Sequence, residues 1–244
     1  MEMRRHVLII GHQGLGDHLI CNSIYRDYAD KFDQVFIPVV KNYLSTIRQM
    51  LGDKSNITLI PLYSHYVYRQ QKILRKLFKL FGIGSLDLGR LNSNYSRLNG
   101  LKIDEIFYFQ AKVLIEDRWS EFAFKENRLR ENVLHDILIG DIKKPYIFLH
   151  EDEPRGFTID QDYLNDVSLV VRPDISLNFT IFDYKSLIEG AAEIHCIESS
   201  FSLFIDSLKD SKQKLFVHRY ARPEAKNNYR NQINYKRKWH IING

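Results

Sequence analysis

A carboxylate placed directly after a glycine turn is the residue of this chain best suited to chemistry. It is Asp17, the last residue of His12-Gln13-Gly14-Leu15-Gly16-Asp17. The turn follows Val7-Leu8-Ile9-Ile10-Gly11, a short apolar run that reads as a buried strand. It leads into a segment with apolar residues at Leu19, Ile20, Ile24 and Tyr25, which reads as a helix. Strand, glycine turn and helix together bring backbone amides up to a ligand. Glycine there permits positive φ and close backbone approach. A carboxylate at the mouth of such a turn repels a phosphate, but it can accept a proton from a hydroxyl. Asp17 also stands where a helix N-cap would stand, and one residue can serve both ends. A dinucleotide site fits less well, because Pro38-Val39-Val40-Lys41 supplies no acid for a ribose diol.

Two later segments have the opposite electrostatic character. His150-Glu151-Asp152-Glu153-Pro154-Arg155-Gly156-Phe157 leaves the end of an apolar strand, where α/β folds bind ligands. Arg155 there could hold a phosphate with two parallel hydrogen bonds, and Gly156 lets the backbone come close. Its plainer reading is a charged loop in which Arg155 pairs with its acidic neighbours. Glu198-Ser199-Ser200-Phe201 joins a strand to a helix. Ser199 or Ser200 at that N-terminus would offer amides and hydroxyls to a pyrophosphate, and Glu198 suits a ribose diol. The plainer reading is a serine cap. His218 and Arg172 end neighbouring strands and could line the same site. Asp183 reads as the cap of its own helix.

The elements that must position these groups alternate. Strands are expected at His6 to Gly11, Gln34 to Val39 and Ile57 to Pro61. Helices are expected at Asp17 to Lys31, Asn42 to Leu51 and Tyr66 to Phe81. Gly82 to Gly100 shows no clear pattern, and Ile103 to Gln110 fits helix or strand. Asp117 to Phe124 and Lys125 to Ile139 read as helical. Gly140-Asp141 and Lys143-Lys144-Pro145 punctuate the chain. A second series follows: strands at Tyr146 to His150, Ser168 to Arg172, Ile194 to Ile197 and Lys214 to His218, with helices at Asp183 to Ala192 and Ser199 to Leu208. Trp239 to Ile242 returns as a last short strand after a basic tail from Tyr220 to Lys238. The pattern predicts two α/β halves with parallel sheets, residues 1–142 and 143–244.

The 244 residues are 44% hydrophobic and 27% charged, which predicts a real core. A net charge of +5 favours anionic partners such as nucleotides, phosphosugars or an anionic membrane. Cys21 and Cys196 match no zinc spacing, and no Asp-x-Asp metal motif is evident. No apolar run reaches the roughly 20 residues a membrane span needs, no signal peptide is seen, and the expected compartment is the cytoplasm. Nucleic acid is not expected as a partner, since aromatic and basic residues do not interleave. Tyr66 to Phe81 is amphipathic, with Ile73, Leu74, Leu77, Phe78 and Phe81 opposite Lys72, Arg75, Lys76 and Lys79. It reads either as a core-packing helix with a solvated basic face, the ordinary case, or as a helix lying on an anionic membrane.

With both halves in view, the chain resembles a glycosyltransferase of the two-Rossmann-domain (GT-B) type. It is most similar to the ADP-heptose:lipopolysaccharide heptosyltransferases and to related uncharacterised glycosyltransferases. The likeness rests on Gly14-Leu15-Gly16-Asp17 with its helix and on Ile197-Glu198-Ser199-Ser200. Asp104-Glu105-Ile106-Phe107-Tyr108 and Glu116-Asp117-Arg118-Trp119 add to it. It implies two Rossmann-like domains facing each other across a cleft, an N-terminal acceptor domain and a C-terminal nucleotide-sugar domain. It also implies inverting, metal-independent transfer to a glycan or glycolipid, as in polysaccharide biosynthesis. No cofactor is implied, since the nucleotide-sugar is a substrate. By this resemblance Asp17 is the base, with His12, Gln13, Gly14 and Gly16 on the acceptor side. His150, Arg155, Gly156, Arg172, Glu198, Ser199, Ser200 and His218 fall on the donor side. The chain is shorter than is usual there. Its later turn is Glu-Ser-Ser-Phe, where heptosyltransferases have an Asp-Thr-Gly type turn followed by a histidine, so the donor sugar is not named. A non-catalytic nucleotide- or sugar-binding module of the same fold is the alternative.

Overall fold

A computed structural model describes residues 5–89, 100–164, 169–174, 176–209, 212–222 and 232–243. Most of the patternless stretch after Gly89, Ser168, and residues 223–231 of the basic tail lie outside the described residues. The contacts divide the chain into two compact units, Met1–Lys125 and Glu126–Gly244.

The first unit carries four parallel strands: β1 (His6–Ile10), β2 (Gln34–Val40), β3 (Ile57–Leu62) and β4 (Gly84–Asp87). Their order is β3-β2-β1-β4. Val7, Leu8, Ile9 and Ile10 are all buried, as strands covered on both faces require. Around them stand α1 (Leu15–Ile20), α2 (Asn22–Lys31), α3 (Leu44–Leu51), α4 (Val67–Leu80), α5 (Ile103–Ala111) and α6 (Asp117–Ser120). β4 falls where the sequence has no clear pattern. It is four residues long and, among the described residues, pairs only with β1. The ambiguous Ile103–Ala111 segment is helical, with Ile106, Phe107 and Tyr108 buried.

The expected helix Asp17 to Lys31 is two helices, broken by a turn at Cys21. The expected helix through Phe124 stops at Ser120. Side chains hold the backbone beyond it: Asn22 Nδ2 donates to the Ala123 carbonyl at 2.9 Å, and the Ala123 N–H donates to Asn22 Oδ1 at 3.2 Å. Arg26 adds a bond to that same carbonyl while pairing with Asp53.

The second unit begins with α7 (Arg128–Leu138), whose start is fixed by the Asn127 side chain accepting from Arg130 N–H. Its sheet has five parallel strands: β5 (Tyr146–His150), β6 (Leu169–Val171), β7 (Glu193–Cys196), β8 (Lys214–His218) and β9 (Trp239–Ile242). Their order is β6-β5-β7-β8-β9. α8 (Lys185–Gly190) and α9 (Ser200–Ser207) pack on it. The expected boundary after residue 142 is corrected to Lys125/Glu126, because α7 belongs with the second sheet. Arg130 Nε donates to Asp183 Oδ2 at 3.0 Å in the turn before α8, and α7 lies against α8. Asp183 is fully buried and is not the cap the sequence suggested: Thr180 is the N-cap, and Asp183, three residues on, accepts its N–H at 2.7 Å. The last strand is held by the buried Asp206, which accepts from Lys236 N–H, Arg237 N–H and Trp239 Nε1. Among the described residues, no helix is long and apolar enough to cross a membrane.

Candidate functional site

In a parallel sheet, ligands bind beyond the carboxyl ends of the strands, where the strand order reverses direction. In the first unit the order reverses between β1 and β4. A concavity of about 1320 Å³ opens there, lined by Gly11, His12, Gln13 and Gly14 after β1 and by Asp87, Leu88 and Gly89 at β4. The first ten residues of α4 form a further wall, including Arg69, Gln71, Lys72, Arg75 and Lys76.

Asp17 is not the N-cap the sequence suggested. Gly14 is, and Asp17 is the third residue of α1. Its Oδ2 reaches back to accept the Gly14 N–H at 3.2 Å. Its Oδ1 lies 3.8 Å from His12 Nδ1, and the side chain keeps 26% of its surface. The carboxylate therefore sits against two residues of the concavity wall, held by an amide at the positive end of a helix. Gly14 is extended rather than at positive φ. Its value is room: a Cβ there would stand 2.7 Å from Asp17 Oδ2. Gly16 lies inside α1 and does not have positive φ.

Sequence reasoning missed the other half of this site. Gly89 is at φ +75, and a Cβ would meet both His12 Nε2 and Phe107 Cε1 at 2.7 Å. Gln71 is buried and donates to the Gly11 carbonyl at 2.9 Å, so α4 is tied to the end of β1. Arg75 pairs with Asp87 at 2.6 Å. In the sequence Arg75 reads only as part of the basic face of its helix, and Gly89 lies in a segment without a period.

In the second unit the strand order reverses between β5 and β7. His150 ends β5, and Ser199 opens the turn from β7 into α9. The two meet: Ser199 Oγ and His150 Nδ1 share a hydrogen bond of 3.1 Å. His150 packs on the Phe201 ring, and burial lowers its pKa to about 4, so it is neutral. Ser202 Oγ accepts the Ser199 N–H at 3.0 Å and ties the first turn. Ser199 and Ser200 are half-buried at the start of α9, where first-turn amides have no intrahelical acceptor.

Other expected donor-side residues are placed differently. Arg155 is 58% exposed and engaged with Asp152, its Nε donating at 2.6 Å. The plainer reading of that loop is the observed one. Asp152 and Phe157 exchange backbone hydrogen bonds, closing a tight turn, and Gly156 sits at φ 74 within it. Arg172 lies 3.4 Å from Glu151. Glu198 is 1% exposed and paired with Arg219 at 2.9 Å, so its carboxylate is not open to a ribose. Its Oε2 is buried without a hydrogen-bond partner among the described residues. His218 is fully buried and shares a 3.0 Å hydrogen bond with His195. It belongs to the core rather than the ligand face, because β8 ends beneath Tyr163 and Tyr220, whose rings pack on it. Among the described residues, no group of three or more His, Cys, Asp or Glu is placed to hold a metal ion.

No family model matches the chain, and no curated protein matches it by sequence. Solved structures do match its fold. E. coli ADP-heptose lipopolysaccharide heptosyltransferase II superposes with a TM-score of 0.52 at 12% identity, over 87% of this chain and 84% of its own. A family 9 glycosyltransferase from Veillonella parvula gives 0.52 at 7% identity, over 89% and 80%. TibC, an iron-containing dodecameric glycosyltransferase from enterotoxigenic E. coli, gives 0.51 at 9% identity, over 89% of this chain. The chain spans 59% of the length of TibC. With two parallel sheets, each flanked by helices, the chain has the α/β fold of the GT-B glycosyltransferases.

Proposed function

We propose that this chain is an inverting glycosyltransferase, moving a hexosyl or heptosyl group from a nucleotide-sugar to a glycan or glycolipid hydroxyl without a metal. The first unit holds the acceptor and the second the donor. Asp17 takes the acceptor hydroxyl proton as that oxygen attacks the anomeric carbon from the face opposite the diphosphate. The new C–O bond forms, the bond to the diphosphate oxygen breaks, and the nucleoside diphosphate leaves with the electron pair. The growing negative charge is met by the amides at the start of α9 and by the Ser199 hydroxyl. Arg155 joins them by exchanging Asp152 for phosphate.

One observation carries this reading. In a chain with a glycosyltransferase fold, the Asp17 carboxylate is fixed by the Gly14 amide beside the strand-order reversal of the first sheet. TibC has been solved with ADP-D-β-D-heptose bound, which makes that donor the first to try. The test is release of nucleoside diphosphate from a panel of nucleotide-sugars, alongside titration with the nucleoside diphosphates themselves. Turnover with one donor supports the proposal. Binding without release points instead to a non-catalytic module, and neither binding nor release removes both readings.

A further inference from the structure

α4 has three sides rather than two. Gln71, Leu74, Arg75 and Phe78 turn inward, with Phe78 edge-on to Phe36 at 4.9 Å. The apolar face expected to pack as one block is split by this rotation. Ile73, Leu77, Leu80 and Phe81 are 54%, 44%, 83% and 72% exposed. Their spacing places them in one stripe along the helix. Arg69, Lys72, Lys76 and Lys79 form a second exposed stripe beside it, the first three of them at the rim of the concavity beside β1. Among the described residues none of these four has an ion pair, and α4 contains no acid. Tyr66 and Tyr68, at the helix start, are 61% and 89% exposed.

We infer that α4 docks the protein on an anionic phospholipid bilayer, lying in the plane of the interface. Charge selects this occupant. An apolar stripe enters the acyl boundary while lysines at its edge snorkel to lipid phosphates. Tyrosine suits the headgroup level. The comparison within the chain is α7, where Leu129, Val133 and Ile137 are also exposed. That helix carries Glu131 and Asp136 among its basic residues, so no charge commits its stripe to an anionic surface.

The inference stands apart from sugar transfer, because vesicle binding needs no turnover. The experiment is co-sedimentation of the full chain with phosphatidylcholine vesicles, with and without phosphatidylglycerol. Binding is expected only to the anionic vesicles and should weaken with salt. Each lysine at the surface contributes about fivefold in partitioning, so Lys72→Gln/Lys76→Gln/Lys79→Gln should weaken binding roughly a hundredfold. Leu77→Gln/Leu80→Gln should weaken it about tenfold or more, with circular dichroism unchanged. Equal binding to neutral vesicles overturns the inference, as does full binding by the lysine variant. Absence of vesicle binding, with self-association that Leu77→Gln abolishes, overturns it in favour of a second copy of the chain.

Discussion

Replacing Gly14 by alanine separates the position of Asp17 from the stability of the fold. Gly14 has φ −71 and ψ 148, a conformation alanine adopts without strain. The added Cβ would lie 2.7 Å from Asp17 Oδ2, whereas ordinary contacts begin at 3.4 Å. The carboxylate must therefore retreat by 3.4 minus 2.7, or about 0.7 Å, and its 3.2 Å bond from the Gly14 N–H is lost or bent. Losing that exposed hydrogen bond costs about 0.5–1.5 kcal/mol. The stiffer unfolded chain returns about 0.4–1 kcal/mol, so stability should change by less than about 1 kcal/mol. A reacting group misplaced by about 1 Å can cost about a hundredfold in rate. Nucleoside diphosphate release should thus fall by tens to a hundredfold, while thermal unfolding scarcely shifts. Unchanged turnover in a folded Gly14→Ala protein would refute the claim that this glycine makes room for a working carboxylate.

Three further outcomes follow from the packing. Asp104→Ala strips the buried Arg118 of its carboxylate and should cost about 3–5 kcal/mol, read from the urea midpoint; a loss under about 1 kcal/mol would show that pair to be dispensable. Gly82→Ala and Gly89→Ala both place alanine at positive φ, near +70 and +75, costing about 1–2 kcal/mol each. Gly82 faces open space and Gly89 faces His12 and Phe107, so Gly89→Ala should melt lower, and equal melting points would contradict the close approach. Burial lowers the pKa of His18 from 6.5 to about 4, so the unfolded chain binds the extra proton between those values. Its contribution of about 3 kcal/mol is complete above pH 6.5 and lost as pH falls to 4. His18→Gln should flatten that decline in urea titrations, and an unaltered pH profile would assign the decline elsewhere.

The fold was legible where strands are buried on both faces. Val7 to Ile10 and Tyr146 to Leu149 are continuous apolar runs, and each became an interior strand of its sheet. It was illegible where tertiary contacts decide. Gly84–Asp87 is too short and polar to show a period, and it is a strand because β1 offers it a free edge. The helix ending at Ser120 is followed by backbone that Asn22 and Arg26, distant in sequence, bind at Ala123. The site divides in the same way. The Gly14 to Asp17 turn was readable because its chemistry is local. Glu198 and His218 were misjudged because nothing in their neighbourhoods announced Arg219 or the rings covering β8, whereas the pairing of Arg155 with Asp152 is local and was one of its two readings. Residue type at a strand end shows what chemistry is available there, while burial and pairing decide whether it is offered to a ligand.

The central claim is that Asp17 removes the acceptor proton, and Asp17→Asn tests it most directly. Asparagine keeps the size and can still accept the Gly14 N–H, but it cannot hold a proton from a hydroxyl. Transfer and nucleoside diphosphate affinity should be measured on the same preparation. The account predicts transfer lost with affinity unchanged; transfer at the wild-type rate would contradict it.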